Sequence, residues 1–132
     1  MMPSSIPERA PLLYIDDEED NLAVFRSSFR RRYEVIATSS VDEALQVLSD
    51  REIPVVITDQ RMPLCTGVEL LQRLPAHIEA VRIILTGYSD IEVIIRAINE
   101  CAIFGYITKP WDKTDLENTI QQALGKYYLS KT

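Results

Sequence analysis

Apolar residues along this chain fall into two alternating rhythms. One consists of short, nearly continuous runs: PLLYI at 11–15, YEVIAT at 33–38, IPVVIT at 53–58, VRIILT at 81–86 and IFGYIT at 103–108. These runs are too short for ordinary helices and rich in Ile, Val, Leu and Tyr, so they predict strands. Most lack polar alternation, the pattern of strands covered on both faces. YEVIAT is the most polar and predicts a sheet edge. The other rhythm has helical spacing. It appears as Leu22, Phe25 and Phe29, and again as Val41, Ala44, Leu45 and Leu48 behind a capping box of Ser40 and Glu43. It continues as Leu70, Leu71 and Leu74, stopped by Pro75, then as Ile91, Ile94, Ile95 and Ile98. The last stripe is Leu116, Ile120, Ala123, Leu124 and Tyr127, behind the caps Asp112 and Asp115. Strand and helix thus alternate five times. Parallel strands joined by right-handed helical crossovers follow, with helices on both faces of the sheet.

Length and charge narrow this picture. The chain has 132 residues, which suits one domain with a real core. Its opening, MMPSSIPERAP, holds Pro3, Pro7 and Pro11 and reads as a disordered tail over 1–10, leaving 11–130 for the domain. That opening lacks a basic start followed by an apolar segment, so no secretory signal is expected. No apolar run approaches the ~18 residues of a membrane span. A net charge of -6 disfavours nucleic acid or an anionic membrane as a direct partner. Cys65 and Cys101 make neither a disulfide framework nor a metal spacing, so a reduced, cytoplasmic setting is expected and Cys101 is assigned to packing. His77 reads as a solvent-exposed loop residue.

In an open parallel sheet, functional groups gather beyond the carboxyl ends of the strands. Here the first strand delivers Asp16 and Asp17, the third Asp59, the fourth Thr86 and Gly87, and the fifth Lys109 and then Pro110. The second delivers only Thr38 and serines, as an edge strand away from a site would. Three carboxylates held close repel one another. A bound hard cation removes that conflict, and oxygen-only ligation with room for water suits Mg²⁺, with Mn²⁺ as a substitute. A lysine and a hydroxyl beside such a metal complete a clamp for a phosphoryl group. Asp59 can then attack phosphorus and become an acyl phosphate. Glu18, Glu19 and Asp20 read as helix-start acids, and the arginines at 30–32 as cations at a helix end.

YIDDEE, ITDQRMP, LTGYSD and YITKPW, in this order and at these separations, resemble the receiver domain of a bacterial two-component response regulator from about Leu12 to Leu129. The resemblance implies a single doubly wound (βα)5 flavodoxin-like domain of the α/β class, with a five-stranded parallel sheet in the order 2-1-3-4-5. It implies that Asp59 takes a phosphoryl group from a sensor histidine kinase or phosphotransfer protein. Asp16 and Asp17 would hold Mg²⁺ with Asp59 and the backbone carbonyl of Arg61, Asp17 more directly and Asp16 through water. Thr86 and Gly87 would meet the phosphoryl group, Lys109 would pair with it, and the bond before Pro110 would be cis. Thr86 and Tyr106 would form the switch. The responding surface would be the fourth helix, fifth strand and fifth helix, with Glu92, Arg96 and Asn99 outward and Tyr106 and Trp111 nearby, Trp111 reading equally well as a half-buried packing residue; a homodimer could form through it. Arg61 and Tyr88 would flank the water path to the acyl phosphate and slow its loss. Cys101 and Ala102 stand where many relatives carry a glycine ending the fourth helix, which predicts an irregular end or one carried by Asn99.

Such a domain is a signalling module, at most phosphorylating itself from small donors and dephosphorylating itself. Two other classes compete. A haloacid-dehalogenase-like phosphatase also uses a strand-end aspartate, Mg²⁺, a threonine and a lysine, but needs an aspartate two residues after the nucleophile, where this chain has Arg61. A flavodoxin-like cofactor binder shares the topology, but its phosphate loop would stand where DDEED repels phosphate. Within the receiver reading, DQRMP, GYSD and KPW resemble receivers attached to cyclic-dinucleotide phosphodiesterases or hybrid kinases.

Overall fold

The computed structural model describes residues 6–130, with the side chains of Tyr88 and Cys101 outside that description. Five strands form one sheet: β1 (Pro11–Ile15), β2 (Glu34–Thr38), β3 (Val55–Asp59), β4 (Val81–Thr86) and β5 (Gly105–Thr108), in the order β2-β1-β3-β4-β5. Every pairing is parallel. The crossovers are α1 (Glu19–Phe29), α2 (Val41–Asp50), α3 (Gly67–Gln72) and α4 (Ile91–Cys101), and α5 (Lys113–Leu129) follows β5. This is the flavodoxin-like (βα)5 arrangement that the alternation of stripes implies.

Because strand side chains point alternately to the two faces, the apolar runs feed two cores. Leu12, Tyr14, Val55, Ile57, Ile83 and Leu85 meet α1 and α5 on one face. Leu13, Ile15, Val56 and Ile84 meet α2, α3 and α4 on the other. Pairing in β3 begins at Val55, because Pro54 has no N–H for the ladder, and runs through Asp59, which lies opposite Leu85. Ile103 is buried but precedes β5, whose pairing starts at Gly105.

Several sequence expectations need correction. Residues 1–5 of the expected tail lie outside the described residues; of 6–10, Pro7, Glu8 and Arg9 are exposed while Ile6 and Ala10 touch the domain. Ile6 lies on the α1–α5 core, Ala10 is buried, and Arg9 donates to the carbonyls of Arg30 (2.9 Å) and Arg31 (3.3 Å) at the end of α1. Within the isoleucine stripe of α4, Ile94 and Ala97 are buried while Ile95 is 48% exposed. Only half of the expected box at α2 forms, with Ser40 Oγ accepting from the Glu43 N–H; both halves form at α3, between Thr66 and Glu69. Helix α4 ends on Ala102 in the left-handed conformation (φ 56°), not on Asn99. Trp111 is half-buried on the α1 face, its ring 6.3 Å from that of Phe25 and 5.9 Å from that of Phe29. Tyr106 packs on the opposite face with α2–α4, so these two aromatics do not share one surface.

Candidate functional site

The carboxyl ends of β1, β3, β4 and β5 converge through their backbones. Gln60 N–H donates to Leu85 O (3.0 Å) and Lys109 N–H to Thr86 O (2.8 Å), which fixes the ends of β3, β4 and β5 to one another. On this edge stand Asp16, Asp17 and Asp59, each offering an oxygen within 4.8 Å of the others. Asp16 is fully buried with three donors on its carboxylate: Tyr14 Oη–H (2.6 Å), the Glu18 N–H (3.0 Å) and Asn21 Nδ2–H (3.1 Å). Those bonds fix the orientation of its carboxylate. Asp17 is exposed. The two adjacent acids are therefore unlike: one is anchored, the other available.

Asp59 is 3% exposed, and its Oδ1 accepts from Lys109 Nζ at 2.5 Å. Burial pushes the Asp59 carboxyl above the ordinary carboxylate range; the charges of Asp16 and Asp17 add to that, and Lys109 offsets it only in part. Burial acts to lower the Lys109 ammonium, but the hydrogen bond and charge of Asp59, with Asp16 and Glu18, raise it above its ordinary value. Tyr14 is also pushed up, first by burial and then by its bond to Asp16. One lysine thus stands against three carboxylates. The donor set, all oxygen and deficient in positive charge, fits a hard divalent cation.

Thr86 is buried at the end of β4, and its hydroxyl donates to the Gly87 carbonyl (3.2 Å). An alanine Cβ at Gly87 would meet open space, so nothing crowds that turn. The Lys109–Pro110 peptide is cis. Arg61 does not point at Asp59: its Nε and Nη2 donate to the two carboxylate oxygens of Asp90 (2.8 and 3.1 Å), and Nη2 also reaches Ser89 Oγ (3.2 Å). Together Asp17, Gln60, Arg61, Met62, Pro63, Thr66 and Asp90 line an open cleft of about 500 Å³ beside the acids. Tyr88, expected to flank the same path, lies outside the described side chains. His77 is exposed, as expected for a loop residue.

Four contributors escaped the sequence reading. Tyr14 and Asn21 anchor Asp16; a lone phenol in an aliphatic run and an amide one turn into the next helix were the available signals. Gln60 is buried, and its Oε1 accepts the Val68 N–H at 3.0 Å, holding the start of α3. Asp90, quoted only within LTGYSD, is the partner of Arg61.

The class this defines is an α/β domain carrying an acidic, metal-ready cluster against one lysine at the carboxyl edge of a parallel sheet. Residues 12–121 match the response regulator receiver domain family, and the chain belongs to that family. It is 39% identical over 118 residues to the hydrogenase transcriptional regulatory protein HoxA of Cupriavidus necator, covering 89% of this chain and 24% of that protein. It is 29% identical over 131 residues to the two-component response regulator ORR3 of Oryza sativa, covering 96% of this chain and 100% of that one. A solved response regulator receiver domain from Clostridium thermocellum superposes with a TM-score of 0.84 at 33% identity, over 91% of this chain and 98% of the other. The chain spans about a quarter of the length of the hydrogenase regulators it matches. It is a receiver domain of the two-component type, a signalling domain. Receiver domains bind Mg²⁺ through acidic residues and are phosphorylated by histidine kinases. Neither the phosphatase nor the cofactor-binding alternative is favoured by these matches. Among the described residues, no helix is long and apolar enough to cross a membrane.

Proposed function

We propose that Asp59 is the phosphoryl acceptor of this domain, taking the group from a phosphohistidine of a sensor kinase or phosphotransfer protein. A carboxylate oxygen of Asp59 attacks phosphorus, the phosphorus–nitrogen bond breaks, and the electron pair leaves with the imidazole. The observation that carries this reading is the imbalance at the site: three carboxylates within 4.8 Å of one another and a single lysine bonded to the buried one. Asp17, Asp59, the Arg61 carbonyl and, through water, Asp16 would hold Mg²⁺ or Mn²⁺, which supplies the positive charge that acid cluster lacks. Lys109 holds the acceptor and then pairs with the added charge. Thr86 gives up its bond to Gly87 and turns its hydroxyl to the phosphoryl oxygens. Tyr106, half-buried against α2–α4, follows, and the α4–β5–α5 surface with Glu92, Arg96 and Asn99 exposed changes shape.

The same reading places the domain in the cytoplasm, lets small acyl phosphates serve as donors, and allows a homodimer through α4–β5–α5, with no direct contact to nucleic acid or membrane. Arg61 and Tyr88 remain our candidates for control of dephosphorylation. Incubation with acetyl phosphate followed by intact-protein mass spectrometry tests the acceptor. One phosphoryl group should appear with Mg²⁺, none after chelation, and none on Asp59→Asn. Equal labelling of that variant would overturn the assignment.

A further inference from the structure

Arg61 sits two residues beyond Asp59, yet its guanidinium is committed elsewhere: it clasps both carboxylate oxygens of Asp90 and touches Ser89. Asp90 immediately precedes α4 and occupies its N-cap position. Aspartate is among the best capping residues, because its carboxylate can accept an N–H from the first helical turn. Ser40, Thr66 and Asp112 do this for α2, α3 and α5, each from an extended backbone (ψ 119°, 165° and 134°) and each toward the third residue of its helix. Asp90 does not: it makes no side-chain cap bond, and its backbone (φ -106°, ψ 5°) closes a 3-10 turn over Tyr88–Asp90, in which its N–H donates to the Gly87 carbonyl (3.2 Å) and which leads directly into α4. The carboxylate that would cap α4 is held instead by the loop that follows the acceptor.

We propose that Arg61 is exchanged between Asp90 and the phosphoryl group, and that this exchange carries the state of Asp59 to α4. The proposal rests on Asp59 being the acceptor. Modification replaces the single charge of the Asp59 carboxylate with a phosphoryl group of up to two negative charges, a net gain of up to one, and presents three strong acceptor oxygens. They compete for a guanidinium that is 73% exposed in its present bidentate pair with Asp90, itself 16% exposed, so the exchange trades one charge-assisted pair for another. When Arg61 turns to the phosphoryl oxygens, Asp90 is freed. The 3-10 turn at Tyr88–Asp90 opens, giving up the Asp90 N–H bond to the Gly87 carbonyl, and Asp90 takes an extended backbone and accepts the Val93 N–H, as Ser40, Thr66 and Asp112 do for their helices. The start of α4, which carries Glu92 and the exposed Val93 and Ile95, is thereby tightened and reoriented. No bond of the acyl phosphate is made or broken in this step; two hydrogen-bonded pairs are traded.

Amide hydrogen exchange, resolved to Val93 and followed beside a mass measurement of Asp59 labelling, tests the exchange. In the unmodified protein, Arg61→Gln should slow Val93 exchange about fivefold, the protection of one cap, because Asp90 is released without phosphorylation. Acetyl phosphate with Mg²⁺ should slow Val93 by a similar factor in the wild type but not in Asp90→Ala. Amides of α2 serve as the control for global stability and should not move. An Arg61→Gln protein with unchanged or faster Val93 exchange overturns the proposal. A labelled wild type whose Val93 amide exchanges as before overturns it too, with the acceptor assignment intact. A wild type that takes no label overturns the acceptor assignment and the exchange with it.

Discussion

At Asp59, negative charge outweighs what Lys109 can balance, and the consequence is a pH dependence with a definite sign. The Asp59 carboxyl is raised by burial first and then by Asp16 and Asp17. A carboxyl that binds its proton more tightly in the folded state stabilises that state below the unfolded value, and this contribution is lost as pH rises through the folded value. In metal-free protein, the stability difference between wild type and Asp59→Asn should therefore shift in favour of wild type as pH falls from 7 toward 4. Thermal melts of both proteins across that range give the difference directly. Saturating Mg²⁺ should reverse the trend, because the metal favours the ionised carboxylate. A flat difference without metal would mean that Asp59 is not destabilised as an anion. At this scale the sequence showed Asp16, Asp17, Asp59, Thr86 and Lys109 because strand ends converge in any open parallel sheet. It could not show Tyr14, Asn21 or Gln60 as their supports. Those contacts depend on which rotamer reaches across the turn, and a buried Tyr or Gln in an apolar run reads equally well as packing.

Among the elements, α3 is tied to the end of the acceptor strand at its first turn. The Thr66–Glu69 capping box fixes its start, and Gln60 accepts the Val68 N–H. Gly67 begins the helix where a Cβ would lie 2.6 Å from the Asp59 carbonyl oxygen and 3.0 Å from Thr58 Cγ2. The first of these is backbone and cannot step aside, so Gly67→Ala must push α3 away from β3. We expect a loss of about 1–3 kcal/mol, the usual range for overpacking, seen as a lower urea midpoint with an unchanged slope. An unchanged midpoint would show that the contact relaxes freely. Stripes in the sequence located every helix, since each buries one face. They misassigned Ile95 because the helix is rotated so that Ala97 and Ile94, not Ile95, meet the sheet. Of the box assigned to α2 only the Ser40 half forms, while Thr66 and Glu69 make both halves at α3, since a capping box needs its glutamate to fold back, which spacing alone does not ensure.

Across the whole molecule, the two faces of the sheet divide the labour. One core ties α1 and α5, with Trp111, to the backs of β1, β3 and β4; the other carries α2, α3 and α4 with Tyr106. Alternation of strand and helix was enough to read this architecture, because parallel strands require the crossovers. Trp111 fell on the other face from Tyr106, against Phe25 and Phe29, because its place is set beyond the end of β5, where the strand's alternation no longer applies. The central claim for the molecule is that this edge of the sheet, with its surplus of carboxylate, exists to make one acyl phosphate. Borohydride reduction of the acetyl phosphate-treated protein, followed by peptide mapping, tests it most directly, since an aspartyl phosphate is reduced to homoserine where it stood. The account predicts homoserine at position 59 alone, and only when Mg²⁺ was present during labelling. Homoserine at position 16 or 17, or none at position 59 in labelled protein, would contradict it.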